Sequence, residues 1–559
     1  MKKNRLFDLC AAQAARIRRG FARFSAVAVC TAAAYLLILL ELFGKGPLAP
    51  GVWFACGMAG CVWAAAAALV LRLACERRAW PGWLPWAGGL TAGVLAAWCW
   101  HSCESGGAAR WGNYWSLVYA GLLAAAVFLA CWLLCGPENE TGLFAHLVKS
   151  AVFSAAVALV IMLGLWICLL AADVLLVTVA DTVLLAAMSL PWVLLAPNLF
   201  CAELPAWNEP VETPRAYRAI VAGAALPVYL LLLAVLYGYI LKILFAWDMP
   251  SGRMNWYASF ALAAYLFFWL GLRMVENRAV RLFVRWGWVL LLPIVAVQLV
   301  GIGIRLSAYG LTMWRALGLV CLGLGLLGLA LAARGRGTRA LYLAGAIAAV
   351  VFTVTPLNVC DLACRDQAAR LERALTQYAM WDGTAISPAS GALPDEAQQD
   401  IRSSWRYLRQ NGPALYRSAL QEQAAAVSAG AFAEQFGFST GEADYGTVEY
   451  ESYSLMAPGA VDISGYGRLY ALSEVLRLEG DACILRCQWE DGTAVEADLS
   501  LYIADLTARY AVSETLAPAD ARYLLPDGST LYFTEVYVST RDGVPDYVWC
   551  QGFLLLPTP

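Results

Sequence analysis

Histidine is almost missing from this sequence: His101 and His146 are the two in 559 residues. Both fall in predicted membrane loops, on opposite sides. That scarcity excludes an HExxH zinc site, and it excludes a Ser-His-Asp triad in the C-terminal part. No GxxxxGK[ST] phosphate loop and no GxSxG elbow occurs either. Lysine stops at Lys242. The acidic stretch that follows argues against nucleic acid as a partner, because that partner needs a basic surface. No catalytic residue, cofactor site or metal site is expected from these motifs. Charge is scarce overall, at 14% of residues, against about 25% in soluble proteins.

What is present is apolar. Hydrophobic residues make up 61% of the chain, and almost all of the excess lies before Leu357. A hydrocarbon core of ~30 Å needs about 20 apolar residues per helix. Eleven runs qualify at roughly that length: Phe24–Phe43, Val52–Ala74, Trp83–Trp100, Tyr114–Cys135, Ser150–Ala172, Leu175–Phe200, Ala219–Phe245, Trp256–Val275, Trp286–Ile304, Ala316–Ala333 and Ala340–Leu357. The expected fold is a polytopic α-helical membrane bundle of about 11 transmembrane helices, followed by a soluble α+β C-terminal domain. Residues 1–23 form a basic N-terminal segment with apolar positions at helical spacing, expected as an interfacial helix. Residues 24–357 form the bundle. Residues 358–559 form the α+β domain, with helices over about 365–423 and strands over about 445–557.

Before Leu357 about 26 Lys and Arg face about 13 Asp and Glu, and after it about 13 face about 28. With the N-terminus in the cytoplasm, the cytoplasmic loops hold roughly 20 basic residues and the external ones roughly 6. An odd number of spans then places the acidic domain outside the cytoplasm. The stretch from Ser150 to Phe200 is broken only by Asp173 and Asp181. The charge pattern supports two spans there, with a tight turn near Asp173. Of the 17 cysteines, those in apolar runs act as small apolar residues. Cys360, Cys364, Cys483, Cys487 and Cys550 lie in or beside the tail, and their spacing fits neither a disulfide framework nor a zinc pair.

Several stretches together carry a resemblance: IRLSAYGLTMWR, LPVYLLLLAVLYGYILKILFAWDMPSG, NVCDLACRDQAARLERAL, DGTAISP and the helix IRSSWRYL. In these the chain resembles the uncharacterised bacterial multi-pass membrane family known as domain of unknown function 4153 (DUF4153). The resemblance is clearest from Leu226 to Tyr407. It implies a multi-pass membrane segment followed by a soluble domain, and it brings no activity and no catalytic residues with it.

Ionisable groups inside the apolar region are the main leads, since burying one costs at least ~2.5–3.5 kcal/mol on insertion scales. Asp181 falls inside the sixth run and Asp173 near the proposed turn. They are candidates for a proton or cation relay, or else sit at a helix end and beside a hydroxyl such as Thr178 or Thr182. Lys242 is a third candidate. Its plainer reading is a stem that reaches the interface, with Asp248 as partner. Arg278, Arg281 and Arg285 recur at helical spacing and read as orientation charge and lipid contact. The segment GIGIRLSAYGLTMWRAL holds Arg305, Tyr309, Gly310 and Arg315 on the external side, against the positive-inside trend. It is either a hinge with two arginines reaching the interface, or a latch in which they pair with tail carboxylates. The expected function is a binding, sensory or scaffold module of the cell envelope. Its partners are the lipid bilayer and an envelope protein or ligand at the C-terminal domain. The alternatives are a secondary transporter using Asp181 and Lys242 and, more weakly, an enzyme on lipid-linked substrates.

Overall fold

A computed structural model describes residues 18–44, 52–105, 112–176, 178–212, 214–246, 253–411, 418–427, 431–439, 450–456, 466–479, 482–489, 491–509, 516–541 and 544–557. Most of the N-terminal segment expected as an interfacial helix, and Asp248, lie outside those residues. Apolar runs become helices because a backbone in lipid has to satisfy its own polar groups. Eleven helices result: α1 Ser25–Phe43, α2 Val52–Arg78, α3 Leu84–Ser105, α4 Gly112–Leu134, α5 Leu143–Leu175, α6 Asp181–Ala202, α7 Arg215–Phe245, α8 Arg253–Leu272, α9 Arg278–Tyr309, α10 Met313–Arg334 and α11 Thr338–Val354. Among the described residues nine helices are long and apolar enough to cross a membrane. A tenth arises if α11 is joined, across a 52° bend, to the helix after it. The molecule is a multi-pass membrane protein.

The helix left over is the tryptophan-rich α3, and contacts at the two ends of the bundle show that it too runs from one end to the other. At one end Arg23, before α1, pairs with Glu76 near the end of α2 at 2.8 Å. At the same end Lys149 in the first turns of α5 pairs with Glu203 just after α6 at 2.9 Å. The guanidiniums of Arg77 at the end of α2 and Arg339 at the start of α11 lie over Trp132 near the end of α4. Arg273, just after α8, donates to Thr338 at 2.7 Å. This is the basic end of the bundle. At the opposite end Tyr114, in the first turn of α4, packs with Met313 and Val354. So α2 ends at the basic end while α4 starts at the far one, and α3 spans the distance between them. His101 and His146 stand inside helices, near the end of α3 and the start of α5, rather than in loops.

Two spans carry a wide π turn, Pro191–Leu195 in α6 and Val221–Ala225 in α7. In each case a proline follows, Pro197 and Pro227. Its ring lacks an N–H and crowds the carbonyl four residues back, Val193 or Gly223. Both of those carbonyls lie within the π turn, where the looser register gives them room.

Beyond α11 come α12 Val359–Gln377, α13 Asp395–Gln410 and α14 Ala419–Ala426. By contact the chain divides into a unit of residues 1–427 and a unit of residues 428–559. Composition changes at Leu357, but α12–α14 belong to the first unit. The second holds α15 Phe432–Phe436, α16 Ser500–Arg509 and eight strands: β1 Tyr450–Met456, β2 Tyr466–Val475, β3 Arg477–Glu479, β4 Ala482–Gln488, β5 Ala494–Asp498, β6 Arg522–Leu524, β7 Thr530–Arg541 and β8 Val544–Pro557. One antiparallel sheet runs β1-β7-β8-β2 with β6 on β7, and the other runs β3-β4-β5. Alternating apolar positions such as Leu485, Phe533, Val536 and Val548 share a core with Ile503 and Leu506 of α16. Cys483, Cys487 and Cys550 are free and lie in that same core. Burial pushes the thiols of Cys487 and Cys550 up to about 12, so both stay protonated and behave as small apolar residues.

Candidate functional site

The turn between α9 and α10 sits where three of the five family-bearing stretches meet. A helix leaves its last four carbonyls without intrahelical donors. In α9 each one finds a partner. The Gly310 N–H donates to Leu306 at 2.9 Å. Arg370 donates to Ser307 and Ala308, both at 3.0 Å. The Gln367 amide donates to Tyr309 at 3.0 Å, and to Leu311 beyond it at 2.9 Å. The other side of the turn presents N–H groups at the start of α10. Asp366 accepts from the Leu311 N–H at 2.6 Å, and the Tyr407 hydroxyl accepts from Met313 at 2.9 Å. One face of α12, with a tyrosine from α13, thus caps two spans at once. A carboxylate near a helix N-terminus and a cation at a helix C-terminus are both favoured by the helix dipoles. Arg370 is held in turn by Asp400 of α13 at 2.7 Å. Burial pushes the Tyr407 phenol well above its usual value, which keeps it a neutral hydroxyl.

Gly310 makes this closeness achievable. Its φ is +66°, and a Cβ there would stand 2.7 Å from Arg370 and Gln367 and 2.8 Å from Asp366. The base of the bracket is also polar. Asn358 caps α12 by accepting from the Asp361 N–H at 2.9 Å, and its amide donates to the fully buried Asp361 carboxylate at 2.8 Å.

Among the described residues Arg315 pairs with no tail carboxylate. It donates to the Gly310 carbonyl of its own turn at 2.7 Å and lies over the exposed Tyr309 ring. Arg305 forms no ion pair among the described residues. The tail grips the backbone of the turn, and the gripping groups are Asp366, Gln367 and Arg370. In sequence these three resemble the solvated face of an amphipathic helix, which is why they were missed. Their spacing of one and three residues on a helix next to a span was the available signal.

The intramembrane candidates are spread apart. Helix α5 continues to Leu175, and Asp173 accepts from the Val179 N–H at 2.7 Å, closing the turn before α6. Asp181 is the first residue of α6 and exposed. It marks a helix start rather than the interior of a span, because the turn runs on to Ala180. Lys242 is exposed on α7. Arg278, Arg281 and Arg285 form an exposed stripe on the first turns of α9, at the basic end. Among the described residues no group of three His, Cys, Asp or Glu converges as a metal site would.

A second polar knot, unseen in the sequence, surrounds Glu140 at the basic end. Its carboxylate accepts from the Gly337 and Thr338 N–H groups at the start of α11, both at 2.9 Å. Arg273 stands 3.7 Å away and donates to the Gly335 carbonyl at 2.8 Å. Burial alone would raise the Glu140 carboxyl. The two N–H donors and Arg273 outweigh burial and hold the carboxyl below its usual range.

The comparison with curated proteins and that with solved structures return no match. A family model described as "Domain of unknown function (DUF4153)" matches residues 51–383. The match takes in α2 to α12, with Gly310, Asp366, Gln367 and Arg370. With the model covering more than half of its length, the chain belongs to the DUF4153 family.

Proposed function

We propose that this protein is a binding and sensory scaffold of a bacterial cytoplasmic membrane. In this reading the N-terminus is in the cytoplasm and residues 428–559 are the extracytoplasmic recognition part. The observation that carries it is the double cap on the α9–α10 turn. Six hydrogen bonds, from Asp366, Gln367, Arg370 and Tyr407, fasten α12–α13 to the ends of two spans. A charge-assisted hydrogen bond contributes roughly 1.5–3 kcal/mol and a neutral one roughly 0.5–1.5 kcal/mol. Such a bracket resists bending, so a displacement delivered through α12–α14 reaches α9 and α10. A protein that only had to tether its tail would not need this stiffness. The orientation is supported by Arg77, Arg273, Arg278, Arg281 and Arg339 standing together at one end. The stripe Arg278, Arg281 and Arg285 then meets anionic headgroups.

The test is photocrosslinking in living cells from exposed positions of the second unit, Leu501 and Leu524, which are 87% and 71% exposed. A discrete envelope adduct is expected, and it should persist in Asp181→Asn and Lys242→Ala variants. Proton-coupled uptake into proteoliposomes that either substitution abolishes would establish the transporter reading instead.

A further inference from the structure

A cavity of about 330 Å³ lies between α4, α5, α8, α10 and α11, in the ~300–1,000 Å³ range of small-molecule sites. Its walls are almost wholly apolar. Phe128, Phe144, Leu270 and Leu341 line it near the basic end, and Ser259 and Cys321 line its depth. Ser259 and Leu270 sit on one helix, α8, so the cavity reaches about 16 Å along that axis. That is close to half of a ~30 Å hydrocarbon core, the depth of one leaflet. Ala263 and Cys321 are exposed along its side.

Just beyond this cavity the end of α2 and the start of α11 bring a pair of cations, unneutralised among the described residues, to the end of α4. Trp132 lies one turn past Phe128 on α4, and Arg339 lies one turn before Tyr342 on α11. The Arg339 guanidinium lies 4.8 Å from the Trp132 ring centre and that of Arg77 lies 4.7 Å from it. Neither is ion-paired among the described residues, and Nη1 of Arg77 and Nε of Arg339 are buried without a hydrogen-bond partner. The nearby carboxylate, Glu140, is already engaged by Arg273, Gly337 and Thr338. Between cavity and cations stands Tyr342. It lines the cavity, is 4% exposed, and its hydroxyl also lacks a partner. Buried polar groups are ordinarily satisfied, so three unsatisfied ones at this end of the bundle call for an acceptor-rich ligand.

We propose that this is a binding site for one anionic phospholipid of the leaflet at the basic end. An acyl chain fills the cavity, the phosphate lies between Arg77 and Arg339, and Tyr342 donates to an oxygen near the glycerol. Arginine suits the role because its donors match phosphate oxygens while its flat face stays on the indole. A zwitterionic lipid would bring a third cation to a place that already holds two.

The test uses the full chain in nanodiscs of phosphatidylglycerol or phosphatidylcholine, followed by native mass spectrometry of the released protein. Wild type is expected to retain one phosphatidylglycerol at least about tenfold better than phosphatidylcholine, on the scale of one charge-assisted contact. Arg77→Gln with Arg339→Gln should erase the preference, and Arg77→Lys with Arg339→Lys should restore part of it. Ala263→Trp should lower retention of both lipids. Should the double glutamine variant fail to fold, wild type is labelled with a phosphatidylglycerol carrying a diazirine in its acyl chain. Adducts on the peptides of Phe128, Leu266 or Cys321 are expected, and adducts elsewhere overturn the proposal. Equal retention of both lipids by wild type also overturns it. So does thermal stabilisation by inorganic phosphate equal to that by the lipid, which would assign the arginines to a soluble anion.

Discussion

Gly310 shows what one residue decides here. The sequence presents it as a break between two apolar runs, and a glycine would serve that purpose with no further reason. In the folded chain it carries a φ of +66° under three side chains of α12. Gly310→Ala combines backbone strain with a collision, and a loss of about 1–3 kcal/mol is expected from the strain alone. A lower melting temperature, with faster hydrogen exchange over the turn, is the readout. An unchanged melting curve would mean that the turn relaxes freely. Glu140 makes the complementary point about charge. Its folded-state carboxyl titrates below the ordinary 4.5. Its stabilisation is therefore complete above that value and is lost as pH falls through the depressed folded one. Glu140→Gln is expected to lower the melting temperature at neutral pH, with the gap to wild type closing below 4.5. A gap that is constant with pH would refute the electrostatic account. Nothing in the stretch GPENETG distinguishes Glu140 from Glu138, because the donors that select it come from α11, far along the chain.

At the scale of elements, the pairing of α12 with the α9–α10 turn is the feature to probe. Asp366→Ala leaves the Leu311 N–H unsatisfied where water is scarce, a loss of roughly 1–3 kcal/mol. Tyr407→Phe removes one acceptor from Met313, with an expected loss of about 0.5–1.5 kcal/mol. Limited proteolysis in nanodiscs should cut between α12 and α13 faster in both variants, more so for Asp366→Ala. Equal resistance in the two variants and wild type would show that apolar packing alone seats the helices. The elements themselves were legible, because runs such as LPVYLLLLAVLYGYILKILFA have one stable form in lipid. Their ends were less so. The residue Asp181, placed inside a span by its surroundings in sequence, is a helix start. Where α5 stops depends on Asp173 reaching Val179, which hydropathy does not register. The π turns escaped periodicity for a similar reason, since Pro197 and Pro227 warn of a distortion without choosing its form.

For the whole molecule, the alternation of spans yields a direct measurement. Arg336, between α10 and α11, and Glu396, at the start of α13, are both exposed and stand at opposite ends of the first unit. In a cell, Glu396→Cys is expected to react with an impermeant maleimide at once, and Arg336→Cys only after permeabilisation. Labelling of both from one side would break the eleven-helix path.

The membrane class and, roughly, the number of helices followed from the apolar runs, because transfer of apolar side chains into hydrocarbon is a local, additive preference. Which polar groups meet was decided by the tertiary structure. Asp366, Gln367 and Arg370 act on a turn more than fifty residues away, and Arg77 meets Trp132 and Arg339 only when three helix ends converge. Hydrogen bonds and ion pairs depend on direction and on a few ångströms, and neither can be read from spacing along a chain.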